Sequence, residues 1–262
     1  AGGIAGEASG NGGKILRARN RCRQVTSNAG PAGGIVAVNS PGMLLESCEN
    51  LGNVNSDDGY AGGIAALNLG TISRCRSGNE TESVTLSSHG VSVIGGICAV
   101  NQRTAEGCGI ISDSRTSANV TLSGTAKTAG GIAGANEGVI QNTSSDAAVS
   151  SMPEISLSGS RLFVGGVAGE NREKGIIRQV RAEGLSFADF RNYRYLGGIV
   201  GENLENALVE NCTFSKGSMR ESKSAAGNCY GGIAGNNSGT LKDCTVSQIR
   251  MEILGVYTAT ST

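Results

Sequence analysis

Carboxylate side chains that could act together as an acid and a base occur at two places in the sequence. Asp57 and Asp58 are adjacent, and Glu170 and Glu202 stand at equivalent points of the phrases GGVAGEN and GGIVGEN. Enzymes that cleave glycosidic bonds use two carboxyl groups on one face. Solvated surface carboxylates are the commoner interpretation, and no catalytic motif surrounds either pair. Carboxylate chemistry therefore stays an alternative.

The single histidine, His89, limits the other kinds of active site. A zinc peptidase of the His-Glu-x-x-His type needs two histidines. A hydrolase triad would also depend on His89, and no Gly-x-Ser-x-Gly elbow accompanies it. We interpret His89 as a loop residue and predict no catalytic residues.

The eight cysteines do not form a metal-binding pattern. Cys48 and Cys75 occupy one position in neighbouring repeats, as do Cys212 and Cys244. Stacked strands would bring such pairs near the Cα separation of a disulfide, about 4.4 to 6.8 Å. Other repeats have Ser, Thr or Val at this position, which favours a small and fairly apolar side chain. We expect buried free thiols more than disulfides, and neither a metal site nor a cofactor.

These residues belong to a repeated sequence, in which a Gly-Gly pair precedes an apolar residue every 29 to 35 residues. The apolar residues are Ile4, Ile35, Ile64, Ile97, Ile132, Val167, Ile199 and Ile233. Four positions after all but the first of these stands an asparagine: Asn39, Asn68, Asn101, Asn136, Asn171, Asn203 and Asn237. A period of this length is typical of a solenoid.

Each repeat contains three short stretches that alternate apolar with polar or small residues, a pattern typical of strands. The third stretch is clearest near Val84, Val120, Ile155 and Leu185. One repeat cannot bury a face alone, so neighbouring repeats must stack. The sequence predicts an all-β fold: one domain over residues 1–262, forming a right-handed parallel β-helix (β-solenoid) of about eight coils.

The glycine-rich phrase GGIAGANEGVI at residues 130–140 has a mechanical interpretation in this fold. A phosphate-binding loop opens a helix, and no helical pattern follows any copy of the phrase. We interpret Gly130 and Gly131 as a corner with positive φ or as a close contact between stacked backbones. The asparagines are expected to turn the chain and to form a side-chain ladder.

Composition excludes several classes of partner. Lys plus Arg and Asp plus Glu each total 22, so no overall charge attracts nucleic acid. No apolar run approaches the roughly 20 residues that span a bilayer, so we expect no direct membrane insertion. The chain begins inside a repeat, and we interpret it as a fragment of a larger protein.

One segment, FADFRNYRY, concentrates aromatic residues beside arginines. Its candidate binding residues are Phe187, Phe190, Arg191, Tyr193, Arg194 and Tyr195. Rings next to guanidinium groups are typical of surfaces that bind proteins or sugars. We predict that this segment contacts a partner, while packing of the rings against the core stays an alternative.

The phrases GGIAGANEGVIQNT, GGVAGENREKGIIRQV, GGIVGENLENALVENC and GGIAGNNSGTLKDC resemble the GLUG motif. The resemblance extends over essentially the whole chain. The first repeat departs most, because it lacks the asparagine and has a longer path to Cys22. The motif identifies an architecture better than it identifies a ligand.

GLUG-motif repeats are found in large bacterial surface or secreted proteins, including adhesin-like proteins and metallopeptidases that cleave immunoglobulin A. The resemblance implies a non-catalytic extracellular scaffold that acts as an adhesin-like stalk or binding surface. The implied partner is a host or cell-surface protein or a glycan, with end-to-end or lateral self-association as a further option. A carbohydrate-active β-helix enzyme and the non-catalytic repeat region of a secreted peptidase are the alternatives.

Overall fold

The computed structural model describes residues 1–79, 84–88, 90, 93–122, 128–146, 149–151, 162–190, 195–221 and 228–252. Within these residues the regular structure is β-strand, and equivalent strands of successive repeats pair in parallel. The pairs stay in register, as in the match of Ala65 with Val36 on one side and with Cys98 on the other. The predicted all-β parallel solenoid is confirmed.

We number the five long sheets in the order in which the chain passes through them. Sheet 1 contains Ala32–Gly33, Tyr60–Gly62, Val93–Gly95, Thr128–Gly130, Phe163–Gly165, Tyr195–Gly197 and Cys229–Gly231. Sheet 2 contains Ala5–Ala8, Val36–Asn39, Ala65–Asn68, Cys98–Asn101, Ala133–Asn136, Ala168–Asn171, Val200–Asn203 and Ala234–Asn237. Sheet 3 contains Lys14–Leu16, Leu44–Glu46, Thr71–Ser73, Ile110–Ser112, Val139–Gln141, Ile176–Arg178, Leu208–Glu210 and Thr240–Lys242.

The chain then continues into the remaining two long sheets. Sheet 4 contains Arg19–Asn20, Glu49–Asn50, Arg76–Ser77, Arg115–Thr116, Ser144–Ser145, Arg181–Glu183, Thr213–Ser215 and Thr245–Ser247. Sheet 5 contains Gln24–Ser27, Asn53–Ser56, Thr85–Ser88, Asn119–Leu122, Val149–Ser151, Ser186–Phe190, Ser218–Glu221 and Arg250–Glu252. Arg103–Thr104 and Gly107–Cys108 form a separate antiparallel hairpin.

The coil has more sides than the sequence pattern predicts. Sheets 2 to 5 have eight strands each and sheet 1 has seven, because the first coil adds only an isolated bridge between Gly2 and Gly33. One coil is therefore incomplete. The prediction of three strands per coil is wrong. Two of the three stretches bend, and each of these two contributes strands to two different sheets.

The bend between sheets 3 and 4 is made by a non-glycine residue with positive φ. The residues at this position are Arg17, Ser47, Arg74, Asp113, Asn142, Gln179, Asn211 and Asp243, with φ between 50° and 54°. A left-handed residue redirects the chain within one position, which ends one strand and starts the next. No glycine marks this corner, so the sequence pattern did not reveal it.

The bend between sheets 1 and 2 contains the Gly-Gly pair, and it works by close approach. A Cβ on Gly130 would overlap the carbonyl oxygen of Ala133, and one on Gly131 would overlap the hydroxyl of Ser145 and the carbonyl of Gly166. Neither glycine has positive φ. Of the two interpretations offered by the sequence, close backbone contact is the correct one for this corner.

The asparagine column lies inside the solenoid and forms a continuous ladder. The Nδ2 of each asparagine from Asn39 to Asn203 donates to the Oδ1 of its counterpart in the next coil, at 2.7 to 2.9 Å. These residues end the strands of sheet 2, so the expected left-handed turn is wrong for them. The ladder starts without a donor for the Oδ1 of Asn39, because the first coil has Ala8 there.

The cysteine column also faces the core, with its thiols free. In the first coil Arg19 pairs with Glu49, so Ala18 occupies the position equivalent to Cys48. The expected extension of the column to Cys22 is therefore wrong. The thiol of Cys212 donates a hydrogen bond that lowers the pKa of Cys244 to about 6. The same contact and burial raise the pKa of Cys212.

Candidate functional site: the outer face of sheet 2

The outer side of sheet 1 carries a row of side chains that includes three aromatic rings, those of Tyr60, Phe163 and Tyr195. Strand residues alternate between the two faces, so the residue before each Gly-Gly pair points inward and the one before that points outward. Val164 and Leu196 are buried in the core, while their neighbours Phe163 and Tyr195 are half-buried. The outward row is Tyr60, Val93, Thr128, Phe163, Tyr195 and Cys229.

This row lies against the start of sheet 2, and the third glycine of the repeated phrase makes that contact possible. A Cβ on Gly134 would overlap the Cγ1 of Val93, and a Cβ on Gly169 would overlap the Cγ2 of Thr128. A Cβ on Gly235 would lie against the backbone of Tyr195. The outer faces of sheets 1 and 2 therefore meet in a concave corner.

The outer row of sheet 2 changes character along the molecule. After Glu7 in the first coil, the row is apolar from the second to the fifth coil, where Val100 and Ala135 form a buried cluster with Leu67 and Val93. From the sixth coil the same row continues as Glu170, Glu202 and Asn236. Polar groups therefore follow an apolar strip on a single continuous surface.

The carboxylates of this row are held by neighbouring side chains. Glu170 accepts a hydrogen bond from the Nε of Arg172 at 2.8 Å, and Nη1 of the same arginine contacts Glu137 at 3.0 Å. The Nδ2 of Asn236 donates to Glu202 at 3.1 Å. Burial favours a lower pKa for Arg172, but the two carboxylates outweigh it and raise that pKa above its usual value.

A hairpin in the fourth coil extends this network across three coils. Arg103 donates from Nε to the carbonyl of Glu137 at 3.0 Å and from Nη2 to the carbonyl of Lys174 at 3.1 Å. Beside these contacts lies an open cavity of about 450 Å³. Its lining is Arg103, Glu137, Arg172, Glu173, Lys174 and Leu204.

We define the sheet 2 face as Phe163, Tyr195, Glu170, Glu202 and Arg172. It combines two aromatic rings from sheet 1, two carboxylates from sheet 2 and the guanidinium group of Arg172, which follows a sheet 2 strand. Such groups fix the orientation of a ligand while apolar surface supplies contact area. The arrangement is suited to binding.

The structure places residues of the predicted FADFRNYRY segment in different environments. Phe187 is fully buried and meets Phe214 edge to face, with ring centroids 6.3 Å apart. Its predicted role as a partner contact is therefore wrong, since the ring fills the core. Tyr195 lies on the sheet 2 face, and its role stays a prediction.

The remaining residues of that prediction are not tested. Phe190 ends a strand of sheet 5, whereas Arg191, Tyr193 and Arg194 lie outside the described residues. His89 and Ile155 also lie outside them. Phe163 was missed, although the sequence holds a signal for it: a large residue stands two positions before several of the Gly-Gly pairs.

The other candidate carboxylate pair, Asp57 and Asp58, lies in a local bend after a sheet 5 strand. Asp57 accepts a hydrogen bond from the Nδ2 of Asn55 at 2.7 Å, and the neighbouring Asp58 follows it at the end of a sheet 5 strand. Glu170 and Glu202, in contrast, are directly paired across adjacent coils. The strands that carry Glu170 and Glu202 contact the strands that carry Phe163 and Tyr195.

Within the described ranges, no group of three or more His, Cys, Asp or Glu side chains is placed to hold a metal ion. In the part of the chain that the structure describes, no helix is long and apolar enough to cross a membrane.

Comparison with known proteins identifies one region of the chain. No curated protein and no solved structure matches it. A family model described as the GLUG motif matches residues 192–215, which include two strands of the sheet 1 and sheet 2 corner. The chain thus contains a GLUG motif and is consistent with a GLUG-motif repeat protein.

Proposed function

We propose that the chain is a non-catalytic extracellular scaffold of a bacterial surface or secreted protein, and that it presents an adhesin-like binding surface. The observation that carries the proposal is the use of the repeated residues. The asparagines bond one another, and the Gly-Gly pairs allow the backbones to approach closely. The conserved columns of the repeat thus serve stacking.

The residues that differ between repeats support a binding role for the outer surface. Along the outer row of sheet 2, Leu67 and Val100 give way to Glu170 and Glu202 while the backbone stays in register. A surface built on paired strands holds its side chains more precisely than a loop does. The scaffold can therefore vary its surface without changing its fold.

A panel of soluble polysaccharides and extracellular matrix proteins tests this function. We expect the purified chain to bind at least one of them saturably and to release no new reducing ends or peptides. Turnover of a polysaccharide that disappears in Glu202→Gln would overturn the scaffold proposal. It would favour a carbohydrate-active enzyme that uses the Glu170 and Glu202 pair.

The location is tested separately on cells that produce the full protein. We expect an antibody against this chain to label intact cells or the culture medium. Labelling that needs permeabilised cells would contradict an extracellular role. The sequence of the full protein would also show a peptidase domain, if the chain is the repeat region of a secreted peptidase.

A further inference from the structure

We propose that the sheet 2 face binds a neutral glycan, with its two aromatic rings against the apolar side of a sugar ring and its carboxylates accepting hydroxyl hydrogen bonds. The proposal rests on the proposed binding function and names its ligand class. It is carried by the coincidence of a close pair of tilted rings, oriented acceptors and nearly balanced charge on neighbouring strands.

The aromatic part of the site is a pair of rings on adjacent coils. Phe163 pairs directly with Tyr195 across sheet 1. Their centroids are 5.6 Å apart and their planes meet at 33°. Rings that lie this close form a shared apolar surface, and their half-buried positions restrict the rotamers that binding would otherwise have to order.

The polar part of the site is already oriented. The Glu170 side chain is only 13% exposed and is held by Arg172, whose own side chain is 35% exposed. Glu202 keeps a second acceptor oxygen beside the one that Asn236 contacts. Carboxylates of this kind accept hydrogen bonds from hydroxyl groups without a large reorganisation.

The charge of the site favours a neutral ligand. The four carboxylates of Glu137, Glu170, Glu173 and Glu202 are offset, apart from one negative charge, by the three cations Arg103, Arg172 and Lys174 around the cavity and the face. The whole chain is also neutral, with 22 basic and 22 acidic residues. A polyanion would meet repulsion from the carboxylates and would gain little from the surrounding field.

The strand pairing disfavours a peptide that adds to a sheet. The strands Ala168–Asn171 and Val200–Asn203 are each paired on both sides, so their backbone groups are already used. A partner must therefore bind through side chains. The open cavity of about 450 Å³ adjoins this face and shares Arg172 with it.

Affinity electrophoresis of the purified chain in gels with single polysaccharides tests the proposal. The neutral set is glucans, xylan, mannan and galactan, and the acidic set is heparin and polygalacturonate. We expect retardation by at least one neutral polysaccharide. Tyr195→Ala and Phe163→Ala should each weaken this binding about tenfold or more, the loss expected when a buried contact of about 1.4 kcal/mol is removed.

Tyr60→Ala is the matched control. Tyr60 occupies the same outward row and is 38% exposed, but it stands in a coil whose sheet 2 residue is Leu67. Its substitution should leave the retardation unchanged. Tyr195→Phe and Glu202→Gln preserve size, so they separate loss of binding from loss of folding, with far-ultraviolet dichroism as the folding check.

Three results would overturn the proposal: retardation only by the acidic set, no retardation by any neutral polysaccharide, or neutral binding that Tyr195→Ala and Glu202→Gln both leave unchanged. Binding to a matrix protein alone would also contradict it, while leaving the scaffold function in place. Depolymerisation of the gel polysaccharide would instead overturn the scaffold function. The two failures are therefore distinguishable.

Discussion

Two inward columns of the solenoid solve the same packing problem in different ways. In sheet 2 the column from Asn39 to Asn237 keeps one residue type, and each side chain bonds the next. In sheet 4 the equivalent column starts with Asn20 and Asn50, which share a hydrogen bond of 2.8 Å, and then changes. Its later members are Ser77, Thr116, Ser145, Ala182, Phe214 and Val246.

The difference follows from what each column faces. A ladder asparagine needs an identical partner above and below, so one replacement affects two neighbours. The sheet 4 column faces the second glycine of the Gly-Gly pairs, as Ser145 faces Gly131 and Phe214 faces Gly198, except at Gly166, where Leu185 takes this place. Because a glycine has no side chain, the opposite position can hold anything from a hydroxyl to a phenyl ring. The sheet 2 column therefore requires the same residue type, asparagine, in successive coils. The sheet 4 column requires only a side chain that fits the space beside the glycine.

The largest effect on stability is expected when the space at a Gly-Gly pair is filled by a side chain. Gly131→Val would place a branched side chain where Ser145 and the carbonyl of Gly166 already lie, so we expect destabilisation of more than about 4 kcal/mol or failure to fold. Gly6→Ala is the control, because a Cβ there meets no described atom within 4 Å. Urea unfolding measures both. A stable Gly131→Val would show that the corner is wrongly assigned.

Removal of one ladder member should have the next largest effect. Asn136→Ala leaves the Nδ2 of Asn101 and the Oδ1 of Asn171 without their partners in the buried ladder. We expect a loss of about 2 to 4 kcal/mol in the free energy of unfolding. Ser145→Ala should cost about 1 kcal/mol or less, because its buried hydroxyl has no partner among the described residues. Equal costs would contradict the comparison.

The ladder should also be extendable at its first coil. Ala8 stands where the other coils have asparagine, and the Oδ1 of Asn39 lacks a donor. We expect Ala8→Asn to raise the free energy of unfolding by about 1 kcal/mol. Ala8→Leu, which adds similar bulk without an amide, should not stabilise the chain. A gain from both variants would mean that bulk, rather than the hydrogen bond, is what the first coil lacks.

The smallest effect is expected at the left-handed corner. Ser47 is exposed and has φ of 54°, so Ser47→Gly should stabilise the chain by up to about 1 kcal/mol. Ser73→Gly is the contrast, because Ser73 lies within a strand and glycine there should destabilise by roughly 0.5 to 1 kcal/mol. Thermal unfolding of the two variants should therefore shift in opposite directions.

The fold was predictable because its repeated columns are visible as residue types. The Gly-Gly pairs and the asparagines reveal the register, and the solenoid follows from stacking. The number of sheets was not predictable, because the bend after Glu46 depends on the backbone of Ser47, and serine there looks like any surface residue. The same bend uses Arg74 in the next coil.

The candidate site was less predictable than the fold. The cluster of rings near Phe187 predicts a partner surface, yet the Phe187 ring is in the core because strand alternation turns it inward. Phe163 and Glu170 stand in one repeat but on different sheets, and only the concave corner brings their outer faces together. Local composition does not reveal such a corner. Tyr195 was named for its neighbours in the sequence, whereas Phe163 is its neighbour in space.

Disulfide trapping tests the in-register stacking most directly. Val38 and Leu67 are outward-facing partners on adjacent coils, and parallel neighbours lie about 4.8 Å apart, within the disulfide range. Val38→Cys with Leu67→Cys should therefore form a crosslink under mild oxidation, identified by peptide mapping. Glu7→Cys with Leu67→Cys spans two coils, about 9.6 Å, and should not. A crosslink between positions 7 and 67, or none between 38 and 67, would contradict the solenoid.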